Sequence, residues 1–293
     1  MRHVPVLLHT TLDILALSDG DTAIDATGGS GGHAQALAEA VGESGRLLVL
    51  DQDTGAITRL TQTLAPYPQT LIHQANFRTI AQVTQELEFP PAAGILFDLG
   101  VSSEQIEESG RGFSFLRDEP LRMTMGGEEH IFTAEDIVND WEEDTLADII
   151  YGYGQERAAR RIAKAIVEAR RGNNRITSSL VLAKIVEDAK GGRHGRIHPA
   201  TKTFQALRIA VNDELGALRE GLQGAWSVLA KGGHIAVITF HGLEARIVKE
   251  FLKEKKQEGT GTVLTPHAVR PTREEELANP RARSASLYAL IKN

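Results

Sequence analysis

The stretch DATGGSGGH, residues 25–33, sets four glycines between an acid and a histidine. DTAIDAT (21–27) leads into it as a short strand, and AQALAEAV (34–41), made largely of good helix formers, follows. A glycine-rich turn from strand to helix lets the backbone approach a ligand closely, and such turns open the first unit of many α/β folds.

Outward from the turn the alternation continues. GRLLVLDQD (45–53) reads as a strand ending in acid, TGAITRLTQTLA (54–65) as a helix, and QTLIHQANF (69–77) as a strand. RTIAQVTQEL (78–87) is the next helix and AAGILFDLG (92–100) a fourth strand. Continuous apolar strands separated by amphipathic helices require a parallel sheet covered on both faces. From about 103 to 198 no convincing strand occurs. Helical segments replace them, most clearly TAEDIVNDW (133–141), ERAARRIAKAIVEARR (156–171) and TSSLVLAKIVEDAK (177–190), with turns such as RRGNNR (170–175) and KGGRHGR (190–196) between. Phe204, Leu207, Val211, Leu215, Leu218, Leu222, Trp226 and Leu229 then recur at spacings of 3 and 4, the stripe of one continuous helix. KGGHIAVITFHG (231–242) reads as a buried strand, LEARIVKEFLKEKK (243–256) as a helix and SASLYALIKN (284–293) as a closing strand. Thr272 and Glu275 have the spacing of a capping box. The predicted organisation is a sheet-bearing core over 1–103 and 207–293, interrupted by a helical domain over 104–206.

The chain has 293 residues, 41% hydrophobic and 24% charged, the balance of a globular protein. No apolar run approaches a membrane span, and the N-terminus lacks the features of a signal peptide, so a cytoplasmic location is expected. There is no cysteine, which excludes disulfides, thiolate metal sites and a cysteine nucleophile; no metal-ligand cluster stands out. The net charge of −7 hides an asymmetry. Residues 128–148 hold nine acids and no lysine or arginine, whereas 157–208 hold thirteen bases against three acids. A local basic patch, rather than net charge, decides attraction to phosphate.

Asp25, Asp51 and Asp98 close three of the early strands. An acid at the end of the second strand is placed to accept ribose hydroxyls. No Gly-Lys pair occurs anywhere, which removes a phosphate-binding P-loop. Gly29, Gly31 and Ala34 do fit a dinucleotide loop, with Asp51 twenty residues past Gly31, so an NAD-dependent oxidoreductase is one reading. Asp25, whose anion would face a pyrophosphate, and LAKGGHIAVITFH (229–241) favour a zwitterionic methyl donor instead.

Six longer motifs resemble a single family. They are HVPVLL (3–8), DATGGSGGH (25–33), FDLGVSSEQIEESGRGFSF (97–115), HPATKTFQALRIAVNDEL (198–215), TFHGLEARIVK (239–249) and NPRARSA (279–285). In order and along nearly the whole chain, they resemble the bacterial 16S ribosomal RNA cytosine-N4 methyltransferases, the RsmH/MraW type. The resemblance implies a Rossmann-like S-adenosylmethionine-dependent methyltransferase sheet with an inserted helical domain for substrate recognition. It implies S-adenosyl-L-methionine as donor and, as acceptor, the N4 amine of a cytidine in the decoding region (P site) of 16S rRNA, as free RNA or within the small ribosomal subunit. Matched position by position, the cofactor contacts are Gly31, Gly32, His33, Asp51, Phe77, Asp98 and Gln105. A non-catalytic ribosome-assembly factor that keeps the donor pocket is a further reading, and a homodimer is one candidate assembly. The chain departs from the family's usual residues at Gly28, Ser30, Arg122, Thr124, Gln155, Gly242 and Ala245.

Independently of the resemblance, the missing cysteine disfavours methylation at carbon 5 of cytosine, which usually needs a covalent thiolate adduct. Asp98 is the carboxylate best placed to orient an acceptor amine or to hold the donor's methionine end, and His241, closing the adjacent strand, is its candidate catalytic companion. For His33, His241 and Phe77 the alternatives are a helix cap, a structural histidine and a core ring. Arg157, Arg160, Arg161 and Lys164 form a basic helix face, and Arg208 with Asn212 lies off the apolar stripe of the long helix. All six are candidates for RNA contact, with plain solvent exposure as the alternative.

Overall fold

A computed structural model describes residues 5–107, 109–126, 132–172, 174–193 and 197–293. His3 and Val4 of the first motif, Glu108 of the third, acids Glu128 and Glu129, and turn residues 173 and 194–196 lie outside them. Two compact units emerge, one from the residues up to Gly100 together with Leu215–Asn293, the other from Val101–Glu214.

In chain order the first unit supplies α1 (Leu8–Leu15), β1 (Thr22–Asp25), α2 (Gly32–Val41), β2 (Arg46–Asp51), α3 (Thr54–Thr63), β3 (Thr70–Gln74), α4 (Ile80–Glu86) and β4 (Ala92–Asp98). The second supplies α5 (Ser103–Glu107), α6 (Ala134–Asp140), α7 (Glu143–Gly152), α8 (Ala159–Ala169), α9 (Ser179–Ala189) and α10 (Thr201–Asn212). The chain then continues through α11 (Glu214–Val228), β5 (Leu229–Thr239), α12 (Gly242–Gln257), β6 (Gly261–Val263), α13 (Arg273–Ala278) and β7 (Ser286–Lys292).

The seven strands form one sheet in the order β3-β2-β1-β4-β5-β7-β6. All neighbours pair in parallel except β7, which runs against both β5 and β6. Leu47–Leu50 of β2 and Ile95–Phe97 of β4 have no exposed surface, as expected of strands covered on both faces. Strand order reverses between β1 and β4, and a doubly wound sheet leaves a crevice for ligands at the carboxyl ends there. Asp25, Asp51 and Asp98 are the last residues of β1, β2 and β4, so the topology brings all three acids to that end.

The continuous helix expected from the apolar stripe is two helices. Asp213 adopts a left-handed conformation (φ 46°, ψ 44°) and separates α10 from α11. Phe204, Leu207 and Val211 belong to the core of the helical unit, whereas Leu218 and Leu222 are buried in α11 of the sheet unit. The 3–4 spacing runs on across the break, so periodicity alone does not reveal it. The expected boundaries move accordingly: 101–103 and 207–214 belong to the helical unit rather than to the core. Three helices, α1, α5 and α7, and a strand escape the sequence pattern. In α7 the acids around Leu146, Ala147 and Ile150 obscure the buried face; α1 is short, and β6 has three residues. Thr272 does cap α13, accepting the Glu275 N–H.

Within the helical unit, described residues form no strand beyond an isolated bridge between Pro120 and Ser178. Asn212 fastens an irregular segment to α10. Its Nδ2 donates to the Met123 carbonyl (2.8 Å) and the Arg208 carbonyl (2.9 Å), and its Oδ1 accepts the Met125 N–H (2.8 Å). Arg111 adds a bond to the Thr124 carbonyl (3.0 Å). Among the described residues no helix is long and apolar enough to cross a membrane. Because Met123 and Met125 are buried, Asn212→Ala leaves their backbone groups without partners. That substitution should cost about 1–3 kcal/mol in urea unfolding of the full chain; a change within ~0.5 kcal/mol would show that the segment does not depend on this amide.

Candidate active site

The turn between β1 and α2 is pinned to both neighbouring strands. Ala26 N–H donates to the Leu96 carbonyl (2.9 Å) and Gly28 N–H to the Leu50 carbonyl (2.8 Å). Gly31, at φ 86°, occupies the N-cap of α2, and no side chain caps that helix end. The first N–H groups of α2 are therefore offered at the carboxyl end of the sheet, where a helix N-terminus favours negative or electron-rich ligand atoms. His33 does not cap the helix. Its Nε2 lies 3.5 Å from Asp98 Oδ2, and the ring is almost buried.

Asp51 ties two turns together. Its Oδ2 accepts the Gly29 N–H (2.8 Å) and its Oδ1 the Asp53 N–H (2.8 Å). Burial pushes its carboxyl above the usual range, against the lowering effect of those two bonds. Each oxygen keeps a further lone pair for an external donor.

Asp25 is fully buried. Its Oδ1 accepts the Thr27 N–H (3.0 Å), and Thr27 Oγ1 in turn accepts the Asp98 N–H (2.7 Å). Thr27 thus joins the ends of β1 and β4. Asp25 Oδ2 and Asp98 Oδ1 are buried oxygens with no hydrogen-bond partner among the described residues. Burial, assisted by the nearby Asp51 charge, raises the Asp25 carboxyl to about 7. Burial, then the charges of Asp25 and Glu244, raises Asp98 to about 8.

Gly31, Gly32, His33, Asp51 and Asp98 are therefore brought together at one end of the sheet. Phe77 follows β3, beside Asn76, whose Nδ2 donates to Gln52 Oε1 (2.8 Å) just beyond β2. The Phe77 ring meets Phe97 edge-on, with centroids 5.6 Å apart, and a Cβ built on Gly221 would lie 2.7 Å from its Cδ2. It packs on two sides as a core ring does, yet keeps part of its surface exposed. Gln105 belongs to the helical unit, where its Oε1 accepts the Ser102 N–H (3.0 Å) at the start of α5.

His241 is a structural cap. Its Nδ1 accepts the Glu244 N–H (3.3 Å), and Glu244 Oε2 accepts the Phe240 and His241 N–H groups (2.7 and 3.1 Å). This closes a capping box at the start of α12. With Nδ1 accepting, the neutral ring carries its proton on Nε2, which faces Glu244 Oε1 at 3.1 Å. The lone pair a general base would need is engaged by the helix, so this geometry gives the expected catalytic role no support.

In the helical unit Arg160, Arg161 and Lys164 lie exposed on α8, opposite Ile162, Ala163 and Ile166, and exposed Arg157 precedes the helix. Lys164 stands 3.9 Å from Glu168, an exposed pair of little energetic weight. The remaining two candidates are committed elsewhere. Arg208 grips Glu214 through two bonds of 2.7 and 2.8 Å, and the Asn212 amide holds the 123–125 segment. Their expected RNA contacts give way to these internal roles. Much of the basic segment is likewise paired internally, as in Lys190 with Glu156 (2.7 Å) and Arg175 with Asp140 (3.2 Å).

The sequence pattern that defines the MraW methylase family matches residues 1–293. The chain belongs to this family. It is 44% identical over 309 residues to the ribosomal RNA small subunit methyltransferase H of Symbiobacterium thermophilum, covering 99% of this chain and 96% of that one. Identity to the protein of the same name from Deinococcus radiodurans is 45% over 290 residues, covering 97% and 88%. A crystal structure described as an rRNA-methylase from Clostridium thermocellum shares the fold, with a TM-score of 0.50 at 16% identity over 99% of this chain and all of that one.

Membership of the methylase family makes the departures from its usual residues informative. At Gly28 a Cβ would sit 2.6 Å from both Leu60 Cδ1 and Val49 Cγ1, so a larger residue has no room. Gln155 adopts φ 50°, and its carbonyl accepts Lys202 Nζ (2.9 Å). Thr27 and Glu244 were not singled out from sequence. A threonine two residues past a strand-ending acid was the available sign of the first, and the His-x-x-Glu spacing that of the second. The capping role predicts that His241→Ala lowers thermal stability by about 1 kcal/mol while His241→Asn retains most of it, since asparagine caps well. Equal losses in both variants, measured by thermal unfolding, would rule the cap out.

Proposed function

We propose that this chain uses S-adenosyl-L-methionine to methylate the N4 amine of a cytidine in the decoding region of 16S ribosomal RNA, in the cytoplasm. The observation that carries the reading is the pair of partnerless carboxylate oxygens, on Asp25 and Asp98, beside the glycine turn. Carboxylates there repel the pyrophosphate of a dinucleotide and accept the ammonium of a methionine end, which weighs against the oxidoreductase reading. The names of the relatives supply the class of substrate, and the absence of cysteine favours a nitrogen acceptor over carbon 5.

When bound, S-adenosylmethionine supplies a sulfonium methyl group already activated for attack. The chain supplies the rest. Asp51 accepts ribose hydroxyls on the lone pairs its backbone bonds leave open, the exposed part of Phe77 meets the adenine, and Gly31, Gly32 and His33 line the methionine end. Gln105 is proposed as a further contact. Asp98, once ionised, accepts an N4–H bond, which localises the amine lone pair; its weakened acidity lets it hold the proton that N4 loses near neutral pH. Positioning and a dry site account for most of the rate. Arg157, Arg160, Arg161 and Lys164 contact RNA phosphates in the inserted substrate-recognition domain, and the target base leaves its stack to reach the donor.

Incubation with labelled donor and small ribosomal subunits, followed by mass spectrometry of the modified base, tests the reading. N4-methylcytidine is expected. Donor binding without label in RNA would favour an assembly factor, and NAD binding without donor binding an oxidoreductase. Asp98→Ala should lower transfer by ~10²-fold or more. Arg160→Glu with Arg161→Glu should weaken RNA binding and reduce its salt slope by about 0.9 for each phosphate no longer neutralised, leaving donor affinity unchanged.

A further inference from the structure

The proposed transfer gives the reacting amine to Asp98 and assigns Asp25 no part in moving a proton, yet Asp25 is the more deeply buried of the two. Both end adjacent strands, and Thr27 links them, bonding Asp25 through its N–H and the Asp98 N–H through its hydroxyl oxygen. Each carboxylate presents one buried oxygen that no group among the described residues satisfies. The ionisable groups that act on the pair are Asp51 at the end of β2, His33 from α2 and Glu244 from the start of α12. Arg59 acts on Asp51, and Glu244 adds negative charge to Asp98. Among the described residues no lysine or arginine forms an ion pair with Asp25 or Asp98, and the one imidazole close by is His33, at Asp98. A buried and a half-buried carboxylate so placed resist ionising together near neutral pH unless a cation joins them.

Resting on the methyl-donor reading, we infer that Asp25 is a second counter-ion for the donor's ammonium, and that the Asp25–Asp98 pair releases a proton when the donor binds. The proton held on the empty pair and the donor's cation occupy the same electrostatic role, so one replaces the other. Deprotonation also leaves Asp98 ready to accept a hydrogen bond from the acceptor amine, which the neutral acid would not do as well. The raised carboxyls, near 7 and 8, set the window: the pair is largely protonated below pH 7.

Titration calorimetry with S-adenosylmethionine, repeated in buffers of different ionisation enthalpy at pH 6.5, reads the protons exchanged. At that pH the donor's own α-amino group is charged, since such groups titrate near about 7.7–8.0. Between one and two protons should be released per donor bound, because carboxyls near 7 and 8 leave the empty pair holding nearly two at that pH, and affinity should tighten by about ten- to a hundredfold for each pH unit between about 6 and 7. Asp25→Asn, close in shape, should bind the donor at least about tenfold more weakly and release fewer protons. Donor binding with no proton release, or a wild-type response in Asp25→Asn, overturns the inference. So does release that persists in Asp25→Asn but vanishes in His33→Gln, which would assign the proton to the histidine. Failure of the donor to bind at all overturns the methyl-donor reading instead.

Thermal unfolding without ligand gives a second readout. Both carboxyls are raised in the folded state, so their contribution to stability is present at low pH and is lost as pH rises from about 4 through 7 and 8. Asp25→Asn should flatten that loss, and an unchanged pH profile would count against the buried proton.

Discussion

A fully buried carboxylate and a half-buried one lie at the point where strand order reverses, and the surrounding structure is organised to keep them there. Thr27 bonds to Asp25 with its N–H and to the Asp98 N–H with its hydroxyl oxygen, so the ends of β1 and β4 are locked in register by one residue. Asp51 performs a related task one strand away by gripping the N–H groups of Gly29 and Asp53. Desolvated negative charge is costly in a protein interior. A fold that concentrates three acids at one end of its sheet holds an electrostatic deficit that a cationic ligand relieves. The methylase family to which the chain belongs is consistent with a ligand of that kind.

Much of this organisation was legible in the residues. Leu47–Leu50 and Ile95–Phe97 are apolar at every position, and such runs have one economical solution, a parallel sheet covered on both faces. The acids at strand ends were likewise visible, because a charged residue closing an apolar run marks where the strand reaches the crevice. The break at Asp213 was not visible. A left-handed residue alters chain direction without disturbing a 3–4 repeat, so Phe204 to Leu229 looks continuous although its two halves fill different cores. Local competition for side chains was hidden for the same reason. Arg208 and Asn212 lie off the apolar stripe, and nothing in the linear spacing tells that Glu214 and the carbonyls at 123 and 208 already hold them.

Charge in the helical unit shows how composition overstates a binding surface. The basic segment carries a large excess of positive residues, but Arg170 donates to the Val138 and Trp141 carbonyls, Lys190 pairs with Glu156, and Arg175 meets Glu135 and Asp140. Those cations hold helices and loops. The exposed face of α8 with Arg157 stays open to an outside anion, as do exposed Arg171 and Arg193. The acidic run is partly structural as well, since Asp136 completes the capping box of α6 with Thr133.

The close approach of Val49 and Leu60 to Gly28 has an evolutionary consequence. A strand residue, a helix residue and the turn between them occupy one shared volume, so the three positions are historically contingent on one another. A lineage that enlarges position 28 must also move or thin the side chains at both 60 and 49. Grafting a relative's turn into this chain without its surroundings would import a side chain with nowhere to go. Variation in the turn nearest the carboxylates is thus governed from behind, by the packing of β2 and α3, rather than by the ligand in front of it.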